Sequence, residues 1–402
     1  MQLARVAQQM VGVAMVLFTL SEYHSPALTG LVTFMSMFPG IVVSPIAGAL
    51  LDRHGRLRLI RLDYLIALGT MVLIGGLAMA HLLSPPLLIV IATISSLTAP
   101  FSQTGLRSLF PLMVPAHLWE RVNALDSNGY LVASILGPPI AAGMVGLFGG
   151  QVAITAIGIP FALAAITLVG VREPRSESST SGSFRRDVLD GIRYAWNNRT
   201  IRGLAASIST LNVAGGIVTI VLPLLVLERL HGSELVVGLA FAVSGLAGVI
   251  SVFLAARMDT RNREWGMLVY TLAFAGPAYG LLLFANTDSA AAMPVIGFAV
   301  IGLSMLCLGL LNGPSDIALF TIRQRRTDPA WMGRAFAISM AVNGAGFPIG
   351  AAIGGALATT SLDLGIVVAV AACVVAAFLV AVLVPKRDPG DERGGTPLLI
   401  SE

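Results

Sequence analysis

Apolar stretches of about twenty residues recur along the whole chain, each long enough at about 1.5 Å per residue to cross a hydrocarbon core of roughly 30 Å. We read twelve, over 3–22, 27–50, 61–83, 86–110, 123–148, 150–171, 201–227, 234–256, 265–286, 292–318, 332–358 and 363–384. Lipid offers the backbone no hydrogen-bond partner, so a spanning segment is either a helix or a strand of a closed barrel. Barrel strands alternate apolar and polar residues over about ten positions. These runs do not alternate, and the expected fold class is an all-α membrane protein of twelve transmembrane helices. Composition agrees: hydrophobic residues make up 56% of the 402 positions and charged residues 11%, a balance that a water-soluble domain could not carry on its surface. The first run lacks a small-residue cleavage site and is followed at once by a second, which argues against a cleaved signal. Cys307 and Cys373 fall inside apolar runs and read as small buried hydrophobes, with no disulfide or metal role.

An even number of spans places both termini on one side, and the basic residues say which. Arg5, then Arg53, Arg56, Arg58 and Arg61, then Arg107 and Arg121, the stretches 172–202, 257–263 and 323–334, and finally Lys386, Arg387 and Arg393 share one face. Only Arg229 falls opposite. Both termini are therefore expected in the cytoplasm. A single lysine among these arginines, with many alanines and glycines, resembles the coding bias of a GC-rich bacterium, so a bacterial inner membrane is expected. The net charge of +4 needs no nucleic-acid partner, because the basic residues set topology and meet anionic lipid headgroups.

The longest polar stretch divides six spans from six. Expected units are a first half over 1–171, a cytoplasmic linker over 172–200, a second half over 201–384 and a tail over 385–402. Within the linker, Phe184, Val188, Ile192 and Trp196 recur every four residues among charged neighbours, the pattern of an amphipathic helix on a membrane surface. The halves also echo each other. Gly30, Ser36 and Gly40 match Gly238, Ser244 and Gly248 at a constant offset, and Arg121 with Gly137 matches Arg334 with Gly350. Such a duplication implies parallel halves with a substrate site between them near the bilayer midplane.

Between spans 2 and 3 lies Gly48-Ala49-Leu50-Leu51-Asp52-Arg53-His54-Gly55-Arg56. Gly48 permits close helix packing, Asp52 can accept hydrogen bonds from a neighbouring helix N-terminus, and Gly55 permits a tight turn. This segment resembles the loop signature of the major facilitator superfamily. The resemblance implies a fold of two pseudo-symmetric six-helix halves, and a cytoplasmic gate in which Asp52 latches onto span 11 near Arg334. A reduced copy, Arg257 to Arg263, would set Asp259 against span 5, which Arg121 opens, and would let Arg263 reach Asp316. Asp316 is then either a gate partner or a proton carrier.

Gly137-Pro138-Pro139-Ile140-Ala141-Ala142-Gly143 in span 5 resembles the end of the antiporter motif of exporting members, with Ala141 and Ala142 where that motif has glycines. As a whole the chain resembles the twelve-helix drug/proton antiporter branch, which includes macrolide efflux proteins, the enterobactin exporter and the mycobacterial multidrug pump Tap. Arg121-Val122-Asn123-Ala124-Leu125, the linker run 187–194 and Arg323-Gln324-Arg325-Arg326 carry that likeness. Members of the branch usually have a polar segment before the first span, so a start upstream of Met1 is expected. By analogy, spans 1, 4, 7 and 10 line the cavity and bring Gln8, Gln9, Phe18, Phe101, Gln103, Asn212 and Asn312 towards a bulky amphipathic substrate.

Acids inside a membrane are functional candidates by default. Glu22 and Glu228 near the outer ends of spans, and Asp126 and Asp316 near the inner ends, are the candidates for proton coupling. No phosphate-binding loop, paired ligand histidines or nucleophile elbow is present, so no enzyme, cofactor or metal is expected. The expected function is proton-coupled export of drug-like amphipathic molecules by a monomer. A siderophore or lipid-like metabolite exporter is the alternative, and a non-transporting receptor or scaffold is another.

Overall fold

The computed structural model describes residues 2–171, 173, 184–257, 263–285, 293–328 and 331–386. Its helices in chain order are α1 (Gln2–Tyr23), α2 (Pro26–Met35), α3 (Phe38–His54), α4 (Arg56–Met79), α5 (Pro85–Met113), α6 (Trp119–Phe148) and α7 (Gly150–Thr167). After the linker helix α8 (Phe184–Asn197) come α9 (Arg199–Leu224), α10 (Glu234–Ala255), α11 (Glu264–Gly280), α12 (Met293–Arg325), α13 (Met332–Ala358) and α14 (Leu362–Leu383). Below, the end of the bundle that holds the start of α1 is the near end, and the opposite one is the far end.

Local chemistry sets many of these boundaries. Ser25 caps α2, its hydroxyl accepting from Leu28 N, with Pro26 preset for the first turn. Asn198 caps α9 and Ser361 caps α14 in the same way. The second span is broken at Ser36 and Met37 into α2 and α3, and a π-turn over Leu225–Arg229 prolongs α9. His24, His81 and His231 turn the chain at the far ends of α1, α4 and α9 with φ of 51°, 56° and 51°. Two of these, His24 and His231, occupy matching places in the two halves.

Among the described residues, eleven segments are long and apolar enough to cross a membrane. The remaining expected span lies in α6 (Trp119–Phe148), whose described residues include the apolar stretch Val132–Phe148. Two expected boundaries need correction. The fourth helix begins at Arg56 instead of 61, and α12 continues to Arg325 instead of stopping at 318. Both extensions carry charged residues into the helical bundle.

In the first half α4 packs on α5 and α7, and α1 on α6 and α7; in the second α9 packs on α13 and α14, and α12 on α10 and α11. The halves meet where α2 crosses α13 and α6 crosses α10. On α8, Leu189, Ile192 and Trp196 are exposed, while Ala195 packs with Ile201 and Ala335 and Tyr194 stacks on Trp331 at 5.1 Å. One apolar stripe of the linker helix is thus left facing outward. The linker over 174–183 and the tail from 387 lie outside the described residues.

Candidate functional site

At the far end the two halves seal on small residues. A Cβ added to Gly30 of α2 would stand 2.9 Å from Gly355 Cα, and one added to Gly238 of α10 would stand 2.7 Å from Ala142 Cβ and 2.9 Å from Pro139 Cα. Val16 and Leu20 of α1 pack with Ile220 and Leu224 of α9 and Ala351 of α13 beside the first of these seams. Pro138 and Ala142, read as part of the antiporter-like segment, therefore face the opposite half, while Gly137 lies against Gln9 and Met10 of α1 and Ala141 is fully buried. Among the described residues, no hydrogen bond or ion pair joins the halves. A Cβ at Gly48, towards the near end, would meet nothing within 4 Å.

Midway along the second half, α9, α10, α11 and α12 enclose a cavity of about 250 Å³, closed on one side by Phe347 of α13. Its polar lining includes Asn212, Ser244, Thr271, Asn312 and Ser315, and its aromatic lining Phe241, Tyr279 and Phe347. No lining residue is charged. The Asn212 amide donates to the Asn343 carbonyl at 2.8 Å, which fixes one wall. Asp316 follows Asn312 by one helical turn, lies outside the lining and is exposed. Asn212 and Asn312 both line this cavity, which lies within the second half. Phe241, Tyr279 and Phe347 went unread, because an aromatic residue in an apolar run carries no sign of which way it faces.

The first-half candidates are distributed differently. Gln8 donates to the Ser102 hydroxyl at 3.1 Å, linking α1 to α5. Gln9 packs on α6 at Gly137 and Gln103 is exposed. Phe18 is fully buried against Gly150, and Phe101 packs with Ala47 and Leu51 on α3. Neither phenylalanine lines the cavity.

Of the four candidate acids, Asp126 is buried in an ion pair with Arg5 of α1, which also donates to the Asp126 carbonyl. Glu22 accepts from the Gln151 amide at 3.0 Å, and Glu228 is exposed at the far end, next to an Arg229–Asp363 pair at 2.7 Å. The expected contact between Arg263 and Asp316 does not form. Arg263 is exposed at the head of α11, and its neighbour Glu264 pairs with Arg325 at 2.7 Å.

At the gate loop Gly55 has φ of +88°, the left-handed region that glycine enters without strain. The turn delivers Leu57 N to the carboxylate of Glu173 at 3.1 Å, and Arg56 approaches the same carboxylate at 3.7 Å. An acid at the first turn of α4 complements the helix dipole. Arg53 and Arg121 are exposed. The side chains of Asp52 and Arg334, and all of Asp259, lie outside the described residues, so the latch stays an expectation.

Besides Arg5 and Glu264, whose ion pairs are given above, two further buried charged residues were not singled out as site residues in the sequence. Asp63 on α4 is 3% exposed, with Ser102 and Thr98 of α5 against its carboxyl. Arg323 on α12 is fully buried between the rings of Phe320 and Phe336, at 5.6 and 5.3 Å. It donates to Met340 Sδ at 3.0 Å and, with the Asn343 amide turned to satisfy both its ends, to Asn343 Oδ1 at 2.9 Å.

Comparison with known proteins agrees with this architecture. The profile of the Major Facilitator Superfamily matches residues 3–344. An uncharacterized MFS-type transporter, y4rN of Sinorhizobium fredii, is 35% identical over 389 residues, covering 96% of this chain and 94% of that protein. Macrolide efflux protein A of Streptococcus pyogenes is 23% identical over 353 residues (83% and 82% of the two chains), and the enterobactin exporter EntS of Citrobacter koseri 26% over 371 (88% and 82%). Among solved structures, a mutant of the nucleoside transporter NupG superposes with a TM-score of 0.75 at 12% identity over 96% of this chain and 98% of that one. Two six-helix halves sealed at one end, the gate-loop signature and these matches together make the chain a transporter, not an enzyme, and a member of the major facilitator superfamily.

Proposed function

We propose that this transporter exports amphipathic small molecules from a bacterial cytoplasm by rocking its two halves, in exchange for protons. The cavity carries this reading. Its wall combines aromatic rings and methionine with amides and hydroxyls and has no fixed charge, which suits ligands held by packing and by few polar contacts. At about 250 Å³ it is smaller than the roughly 300–1,000 Å³ typical of drug-sized ligand sites, so it would hold one ring system of a larger molecule that extends between the halves. The names of two relatives, a macrolide efflux protein and an enterobactin exporter, favour export.

With the arginine-rich near end in the cytoplasm, the sealed far end is the outer gate and the cavity loads from inside. The Gly30 and Gly238 seams are then the contacts that part when the protein opens outward. The outward stripe of α8 rests on the inner leaflet, and the transporter works as a monomer with lipid as its surroundings. The likeness to the enterobactin exporter favours a siderophore as a second substrate class, handled by the same machinery.

Flux in proteoliposomes under an imposed pH gradient tests this, with ethidium, erythromycin and a catecholate siderophore as probes. Gradient-driven movement of the first two is expected. Movement of the siderophore alone would select the second class, and movement indifferent to the gradient would remove proton coupling.

A further inference from the structure

The first half contains a buried acid that no ion pair accounts for. Asp63 lies two turns inside α4, which packs on α5 and α7. Over its length α7 has no ionisable residue, and α5 presents the hydroxyls of Ser102 and Thr98. The next residue, Tyr64, is 1% exposed, has an unpartnered hydroxyl and lies within electrostatic reach of both Asp63 and Arg5. The Arg5 guanidinium is itself committed to Asp126. The side chains of Asp52 on α3 and Arg107 on α5 lie outside the described residues. Among the described residues no cation pairs with Asp63, and an ionised carboxyl buried without one is costly unless hydrogen bonds compensate it.

Ser102 gives this acid a route outward. Its Oγ accepts from Gln8 Nε2 at 3.1 Å, and its own hydroxyl proton has one backbone acceptor, Ala99 O, at a long 3.3 Å. A hydroxyl has one proton to give and two lone pairs to receive. The Ser102 hydroxyl, which donates to Ala99 O, lies beside the Asp63 carboxyl, so its proton can turn to the carboxylate when Asp63 is ionised. When Asp63 is protonated, its O–H can donate to Ser102 Oγ, and the serine proton turns back to Ala99 O, so Oγ must share its acceptor capacity between Asp63 and Gln8. Gln8 sits on α1, the helix whose other end packs against α9 in the far-end seal. A proton gained or lost at Asp63 is thereby felt by a helix that touches the opposite half.

Resting on the proton-antiport reading above, we propose that Asp63 is the site where this protein binds and releases its coupling proton, and that Ser102 and Gln8 transmit that event to α1. The proton moves between water and one carboxylate oxygen, with no other bond made or broken.

Two measurements on the full-length protein in liposomes separate this proposal from the antiport reading. The first is infrared difference spectroscopy between acidic and alkaline buffer. A component of the protonated-carboxyl band is expected to vanish in Asp63→Asn and to remain in Ser102→Ala; superimposable spectra of wild type and Asp63→Asn would overturn the proposal. The second is ethidium flux. Asp63→Asn is expected to lose acceleration by a pH gradient while keeping ethidium counterflow, Asp63→Glu to regain acceleration, and Ser102→Ala to lose it with the acid in place. An Asp63→Asn protein still accelerated by the gradient would also overturn the proposal. A wild type indifferent to the gradient would end the antiport reading, and the infrared result would then decide alone whether Asp63 titrates.

Discussion

Gly30 on α2 and Gly355 on α13 approach so closely that a Cβ on Gly355 would stand 2.8 Å from Gly30 Cα. Backbones meet at this distance only where neither residue has a side chain, and this seam joins two halves that must separate during transport. Overpacking costs about 1–3 kcal/mol where it cannot be relieved, and opening the far end relieves it. Gly30→Val is therefore expected to favour the state opened at the far end. A cysteine placed at Val16 should become reactive to an impermeant thiol reagent from that side, with transport reduced. Unchanged labelling would mean that the seam stays shut.

The second seam gives the same expectation by symmetry. Gly238 meets Ala142 as Gly30 meets Gly355, and the repeat read from the sequence had already paired Gly30 with Gly238. Gly238→Val should act in the same direction, and the double variant should label at Val16 at least as readily as either single one. Opposite effects of the two substitutions would show that the halves do not part symmetrically.

The Arg5–Asp126 pair joins α1 to α6 inside the first half and is buried. Removing one member of a buried pair typically costs about 3–5 kcal/mol, because the other charge is left uncompensated, whereas replacing both with apolar residues of similar volume is often neutral. Arg5→Met should lower the melting temperature of the detergent-purified protein markedly, and Arg5→Met with Asp126→Leu should recover most of the loss. A double variant as unstable as the single one would make the pair's cost one of shape instead of charge.

In the cavity wall, Phe347 and Tyr279 bring aromatic side chains to a ligand and Asn212 an amide already engaged with Asn343 O. Phe347→Ala should raise the half-saturation concentration for a transported dye by roughly tenfold, which corresponds to about 1.4 kcal/mol. Asn212→Ala should also disturb the seat of α13. The two variants are distinguished by melting temperature, which only the second should lower.

The sequence conveyed the architecture because lipid imposes a long apolar run on every span, and such runs survive errors of several residues at their ends. Those same errors concealed two buried charges. Asp63 fell at the very edge of a span set to begin at 61 and was passed over as a candidate acid, yet α4 starts at Arg56 and buries the acid two turns in. Arg323 was counted among the cations that set topology because span 10 was ended at 318, yet α12 runs on to Arg325. Asn212 and Asn312 drew notice because an amide in the middle of a span is conspicuous, and both line the second-half cavity. Phe18 and Phe101 pack inside the first half, and their sequence positions could not show this because aromatic residues serve packing and binding alike.

Arg323 and Arg5 provide the sharpest contrast between two ways of burying a cation. Arg5 faces a carboxylate, whereas Arg323 faces two rings, a thioether and an amide oxygen, with its Nε unpartnered. A desolvated cation over aromatic faces gains about 2 kcal/mol or more, and a planar guanidinium stacks there as an ammonium cannot. Arg323→Lys keeps the charge but loses the planar fork that reaches Met340 and Asn343, and should therefore destabilise the protein. Arg323→Met removes the charge without abandoning an acid and leaves a flexible apolar chain between Phe320 and Phe336, so it should cost less than Arg5→Met. Melting temperatures of the three variants, measured side by side in one detergent, check the order. If Arg323→Met were the most damaging, the guanidinium would have an acidic partner that the aromatic clamp alone does not account for.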